Sequence, residues 1–199
     1  MIHRKIYGII IKIQPLGELD RIVTVFSEEY GVISVIAKGV KKITSRRGFH
    51  LDLLNAAHID IEESGSESMP RRYLREVTPE ENFLNLKNSP EHFSAGCIMA
   101  AFIKRTIPEG APQKTLFDLT QKTLRSLNQN NDASSDPKII LSTYFLKTLK
   151  LLGHLPGTLK KREIKPYLQK TLQALDPEFT LNARRTLGIF SKFESTRSS

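Results

Sequence analysis

Between residues 5 and 78 the chain sets out five short apolar runs in succession, with too little between them for crossover helices. Strands joined this closely pair mostly antiparallel, since a parallel neighbour needs a connection of a dozen or more residues. Five of them close most simply into a small barrel of the OB type, with an SH3-like barrel as the competing architecture. Residues 5–14 alternate, with Tyr7, Ile9, Ile11 and Ile13 on one side and Gly8 and Lys12 on the other, until Pro15-Leu16-Gly17 ends the run. Ile22 to Phe26 and Val32 to Ala37 flank the turn Ser27-Glu28-Glu29-Tyr30-Gly31 and read as a β-hairpin. Leu51 to Ile61 gives a fourth strand, with a bulge expected near Asn55, and Arg71 to Thr78 a fifth that Thr78-Pro79 stops. The polar, Gly/Ser-rich stretch Glu62 to Pro70 between them reads as a loop.

From Ser89 the period changes from two to that of helices. Ser89-Pro90-Glu91 supplies an N-cap and a proline at the first helical position, and Phe93, Cys97, Ala100 and Ala101 share a face until Pro108 and Gly110 end the helix. Further helices are predicted from Gln113 to Leu127, from Asp136-Pro137 to Gly153, from Glu163 to Leu175 and from Thr180 to Phe193, with a loop at Asn128 to Ser135 and a frayed tail from Glu194. The fold class is therefore α+β: an OB-fold domain at 1–80 followed by an all-α domain at 81–199.

Charge separates along this plan. The chain has 30 Lys+Arg against 21 Asp+Glu, a net charge of +9. Residues 1–50 carry 9 basic and 4 acidic groups, 51–95 carry 4 and 9, and 140–199 carry 11 and 4. Segregation of this kind favours a polyanionic partner over evenly solvating charge. Two clusters stand out. Lys38, Lys41, Lys42, Arg46 and Arg47 follow the hairpin with no acid among them, with Arg21 close by at the start of the second strand; Lys160, Lys161, Arg162, Arg184 and Arg185 lie in the helical part. A barrel that holds single-stranded nucleic acid needs such cations for phosphates and aromatic faces for bases, for which Tyr7, Tyr30, Phe49 and Tyr73 are the candidates.

Catalytic signatures are wanting. The five histidines are dispersed, the single Cys97 lies in an apolar run and reads as a packed thiol, and the acid pairs Glu28-Glu29 and Glu62-Glu63 read as solvated turn residues. No catalytic residue, metal or cofactor is expected. No apolar run reaches the roughly 20 residues that span a bilayer, so the expectation is a cytoplasmic protein with no membrane partner.

Certain residues also resemble a family. Gly8-Ile9-Ile10-Ile11, Leu16-Gly17-Glu18, Asp20 to Phe26 and Tyr30 to Val40, with Ala37-Lys38-Gly39 the most specific element, are similar to the N-terminus of RecO, the bacterial recombination mediators. Leu149 to Pro156, with Leu151-Leu152-Gly153 and Pro156, resembles the family's leucine-rich helix end. The resemblance implies an OB fold and a helical domain that bind single- and double-stranded DNA and anneal complementary strands. It also implies RecR, the acidic C-terminal tail of single-strand-binding protein and, indirectly, the RecA recombinase as partners, with Arg21, Lys38, Lys41, Lys42, Arg46 and Arg47 in the DNA-facing barrel loop. Many members carry a four-cysteine zinc module after the Leu-Leu-Gly-x-x-Pro element; here Gly157 to Arg162 stands in its place without a cysteine. Two other classes fit the charge alone: an RNA-binding OB protein of the translation machinery, and a divalent-metal nuclease.

Overall fold

The computed structural model describes residues 2–42, 45, 48, 50–66, 69–129, 136–154, 166 and 170. Five strands, β1 (Ile2–Leu16), β2 (Asp20–Ser27), β3 (Gly31–Ala37), β4 (Ala56–Ser66) and β5 (Met69–Glu81), close into a barrel in the order β1-β2-β3-β5-β4. All neighbours are antiparallel except β3 and β5, which meet in parallel at Ile36 and Tyr73. This is the OB fold, and it excludes the SH3-like alternative. Strand alternation fills the interior with Ile6, Ile10, Val23, Val25, Ile33, Val35, Ile59, Ile61, Leu74 and Val77, all buried. The gap left among Val23, Val35, Leu51 and Leu74 is too narrow for a water molecule, so this part of the barrel interior is a packed core.

β1 is the strand that closes the ring. Its first half pairs with β4 and its second with β2, and a bulge between Ile10 and Lys12 bends it from one partner to the other. At the bend the Ile10 N–H donates to the Asn55 carbonyl at 2.9 Å, and the Leu54 N–H donates back to Ile10 at 2.8 Å. Gly8 lies at the change of partners, where a Cβ would meet Val25 Cγ1 at 2.4 Å, so a side chain there would push β1 off β2.

The second hairpin departs from the sequence reading. Leu51 to Asn55 is a turn, and β4 begins only at Ala56; at its other end β4 runs on through Glu62 to Ser66, and β5 starts at Met69. Nor does Pro79 stop β5, because it sits opposite Ala57 beside a bulge, where a missing N–H is tolerated. Glu62 and Glu63 are thus strand residues with partners, not solvated turn acids. Glu62 meets Arg75 at 3.2 Å. Glu63 points inward at one end of the barrel, where its carboxylate accepts from Arg4 Nε at 2.7 Å and Arg72 Nε at 2.8 Å, while Arg4 also donates to the Tyr30 hydroxyl at 3.2 Å. An ionic stopper, drawn from three strands, closes this mouth.

Burial pushes the Glu63 carboxyl upward, but the hydrogen bonds from Arg4 and Arg72 outweigh it and hold the group below the usual carboxylate range. A folded-state value lowered in this way adds stability above the unfolded carboxyl's range and loses it as pH falls through the folded value. With its side chain only 14% exposed, Glu63→Gln is expected to cost about 2–3 kcal/mol at neutral pH. Urea midpoints measured down the pH scale check this: the gap between wild type and variant should close on acidification below the ordinary carboxylate range.

Among the described residues four helices with defined bounds follow: α1 (Leu84–Asn88), α2 (Pro90–Thr106), α3 (Lys114–Asn128) and α4 (Pro137–Leu151). The described chain forms two compact units, one of the barrel with Met99–Gln121 and the other of Asn85–Ile98 with the described residues from Lys122 onward. Within the first, Phe117 packs edge-on against Phe26 and Tyr7 with centroids 5.6 and 5.7 Å away, covering the outer side of β1 and β2. Gln121 donates to the Tyr7 hydroxyl and to Glu81, and Lys114 pairs with Glu28. Within the second, Leu141, Tyr144, Phe145 and Leu149 bury one side of α4, whose N-cap Asp136 accepts from the Lys138 N–H at 2.8 Å. The buried residues of α2 include Ala95, Met99, Ala100, Phe102 and Ile103, so of the predicted face Ala100 is buried while Phe93, Cys97 and Ala101 are half-buried. A helix apolar on nearly every side does not announce which side goes in. Burial pushes the Cys97 thiol pKa up, which disfavours the thiolate. The predicted helices beyond Gly153 lie outside the described residues, apart from helical backbone at Pro166 and Lys170.

Candidate nucleic-acid interface

β3 ends at Ala37, and the chain turns at once through Lys38-Gly39-Val40-Lys41-Lys42. Val40 and Leu51 drop into the barrel core from either end of the β3–β4 connection, closing the mouth opposite the ionic stopper and fixing the base of the turn. Gly39 takes a left-handed φ of +67°, and its N–H donates to Asp20 Oδ1 at 2.7 Å. The Lys41 N–H donates to the Leu19 carbonyl at 3.0 Å, and its Nζ to the Gly17 carbonyl at 3.2 Å. Three contacts therefore lace the lysine turn to the β1–β2 turn, Gly17-Glu18-Leu19, and to Asp20 just after it.

Lys38, Lys41 and Lys42 are exposed on this base. Arg21 is half-buried, and the β2–β3 register sets it opposite Ala37, one residue before Lys38. Four of the predicted cations are thus brought to one end of the barrel. The neighbouring acids are Asp20, committed to Gly39, and Glu18 in the adjoining turn. Among the described residues neither Lys41 nor Lys42 forms an ion pair, so their ammonium groups retain donors for an anion. Arg46 and Arg47 of the same run, and Lys160, Lys161, Arg162, Arg184 and Arg185 of the second cluster, lie outside the described residues.

The four aromatic candidates separate. Tyr7 is packed between His58, 5.0 Å away, and Phe117, and its hydroxyl is bonded to Gln121, so it belongs to the barrel's covered side. Tyr30 packs on the core and carries Arg4 over its ring at 5.5 Å. Phe49 lies outside the described residues. Tyr73 remains: half-buried on the outer face of β5 beside Ile36, with Lys38 Nζ 4.7 Å from its ring centre. Sequence reasoning passed over Leu16 and Leu19, which flank the β1–β2 turn and are 38% and 46% exposed. An apolar residue in a turn gives no periodic signal, and only the Lys41 contacts with Leu19 and with Gly17, the neighbour of Leu16, place them near the cations.

Among the described residues no group of three or more His, Cys, Asp or Glu side chains could hold a metal ion, and no helix is long and apolar enough to cross a membrane.

A closed five-stranded barrel of this strand order, with Lys38, Lys41 and Lys42 exposed on one connecting turn, places the chain in the OB-fold class. Comparison with known families is specific. Residues 1–81 match "Recombination protein O N terminal" and residues 88–158 match "Recombination protein O C terminal". The chain belongs to the RecO family. It is 32% identical over 149 residues to the DNA repair protein RecO of Desulfitobacterium hafniense, covering 75% of this chain and 51% of the relative. To the RecO of Thermobifida fusca it is 28% identical over 156 residues, 75% of this chain and 60% of the relative. To that of Dehalococcoides mccartyi it is 26% identical over 181 residues, 87% of this chain and 66% of the relative. The chain thus spans about half to two-thirds of the length of these curated relatives.

Proposed function

We propose that this chain is a non-catalytic DNA repair and recombination mediator of the cytoplasm that binds single- and double-stranded DNA and anneals complementary strands. The OB-fold domain, 1–80, is the nucleic-acid-binding domain, and the helical domain, 81–199, the partner-binding one. One observation carries the reading: Lys38, Lys41 and Lys42 stand exposed on a turn pinned to the barrel by backbone hydrogen bonds, so their charge is presented in a fixed place. A pinned turn loses little backbone freedom when a phosphate arrives, which favours binding. Arg21, Arg46 and Arg47 extend the same cluster. Lys160, Lys161, Arg162, Arg184 and Arg185 supply a second group of cations, and two cationic sites on one chain would hold two strands together. Membership of the RecO family supports RecR, the C-terminal tail of single-strand-binding protein and, through them, RecA as partners.

The test is annealing of complementary strands precoated with single-strand-binding protein. Wild-type chain is expected to accelerate duplex formation, and acceleration should fade as salt is raised, because phosphate contacts release counterions. Annealing no faster than the spontaneous rate would overturn the mediator reading, and a marked preference for RNA over matched DNA would move the protein to translation.

A further inference from the structure

We propose that the β1–β2 turn is an apolar wedge, with Leu16 and Leu19 packing against unstacked bases of the strand whose phosphates Lys38, Lys41 and Lys42 hold. The inference rests on the nucleic-acid reading above and adds to it a contact with bases. Leu16 closes β1 and pairs with Asp20, so the two leucines flank a tight turn whose Gly17 has a φ of +60°. Both side chains are large, apolar and well exposed, unlike the core-facing leucines of the same unit, Leu51, Leu54 and Leu74. Leu19 is held from the cationic side by the Lys41 N–H on its carbonyl, and Gly17, next to Leu16, by Lys41 Nζ on its carbonyl.

An apolar tip alone would say nothing about its occupant. Here it stands within one side chain's reach of the lysines, and charge complementarity selects a polyanion. Of the polyanions, a nucleic acid also offers apolar faces beside its phosphates, and leucine is among the residues that proteins insert between base steps. Glu18 at the apex disfavours close approach of a phosphate to the tip itself. That division matches the proposal: phosphates against the lysines, bases against the leucines. A base taken out of its stack is also one available for pairing, so a wedge serves annealing directly.

The experiment uses the full chain and a single strand carrying 2-aminopurine, whose fluorescence rises when the base leaves its stack, with anisotropy measured in parallel. Wild type is expected to bind and to raise the 2-aminopurine signal. L16S/L19S should bind about 5- to 10-fold more weakly, keep the salt dependence of wild type, and lose most of the fluorescence rise. L16M/L19M, which keeps an apolar tip, should restore the rise. Both pairs sit on exposed positions, and a thermal melt equal to wild type excludes misfolding. If L16S/L19S binds and unstacks bases as wild type does, the wedge is wrong while the lysine site stands. If wild-type chain itself binds no strand, the nucleic-acid reading fails and the wedge with it.

Discussion

The triple reversal K38E/K41E/K42E is expected to lower affinity for a short single-stranded oligonucleotide by about 100-fold at fixed low salt. Each lysine is exposed, and the turn that carries them is anchored by Val40 in the core and by the Asp20 and Leu19 contacts, none of which involves an ammonium group. The substitutions remove one lacing contact, Lys41 Nζ on the Gly17 carbonyl, and keep the backbone anchors, so a thermal melt close to wild type is the accompanying control. If all three contact phosphates, the dependence of log affinity on log salt should flatten by about 2, since each contact to a single strand releases roughly 0.7 of a counterion. Net charge alone is separated by a control of equal size, K122E/R125E/K138E, on exposed positions of α3 and α4. A control as damaging as the test would mean that the whole chain's field, not this turn, draws the strand.

How far the sequence foretold this arrangement can be judged residue by residue. The β2–β3 hairpin was legible because Ile22 to Phe26 and Val32 to Ala37 are β-branched, apolar and separated by a turn that ends in glycine. The lysine turn was legible as composition. Its attachment to Gly17 and Leu19 was not, since that depends on the strand register, which no local pattern states. The second hairpin was misjudged for a related reason. Glu62 and Glu63 look like loop residues until Arg4 of β1 and Arg72 and Arg75 of β5 are brought to them. An acid in a strand is stable when its partner is present, and the partner of Glu63 on β1 lies 59 residues away. Tyr7 was misassigned in the same way, because the residue that covers it, Phe117, comes from a helix beyond the barrel. Local propensity carried the strands and caps, and long-range pairing decided which side chains were left facing outward.

Gly31→Ala is expected to be among the most damaging single substitutions in the barrel unit, costing about 3 kcal/mol or more. Two effects add at this position. Gly31 opens β3 with a φ of +63°, in the left-handed region that costs a side chain-bearing residue roughly 1–2 kcal/mol. It also lies against the connection between α2 and α3, where the new Cβ would fall 2.0 Å from the Ala111 carbonyl oxygen. That oxygen belongs to a backbone held in place: the Gly110 N–H donates to the Val32 carbonyl at 2.9 Å, and Val32 forms a parallel bridge with Glu109. Glu109 is tied in turn to the Ser34 N–H at 3.2 Å and to Arg72 at 3.6 Å, so the segment cannot yield without disturbing the barrel's ionic end. Gly110→Ala separates the two contributions, because Gly110 has a φ of +77° but nothing within 4 Å of a new Cβ. Urea denaturation of the two variants should place Gly110→Ala at the cost of the dihedral alone, about 1–2 kcal/mol, and Gly31→Ala well beyond it. Equal costs would mean that the 109–111 segment is not packed on β3, and that the barrel's outer side is less firmly covered than the Phe117 contacts indicate.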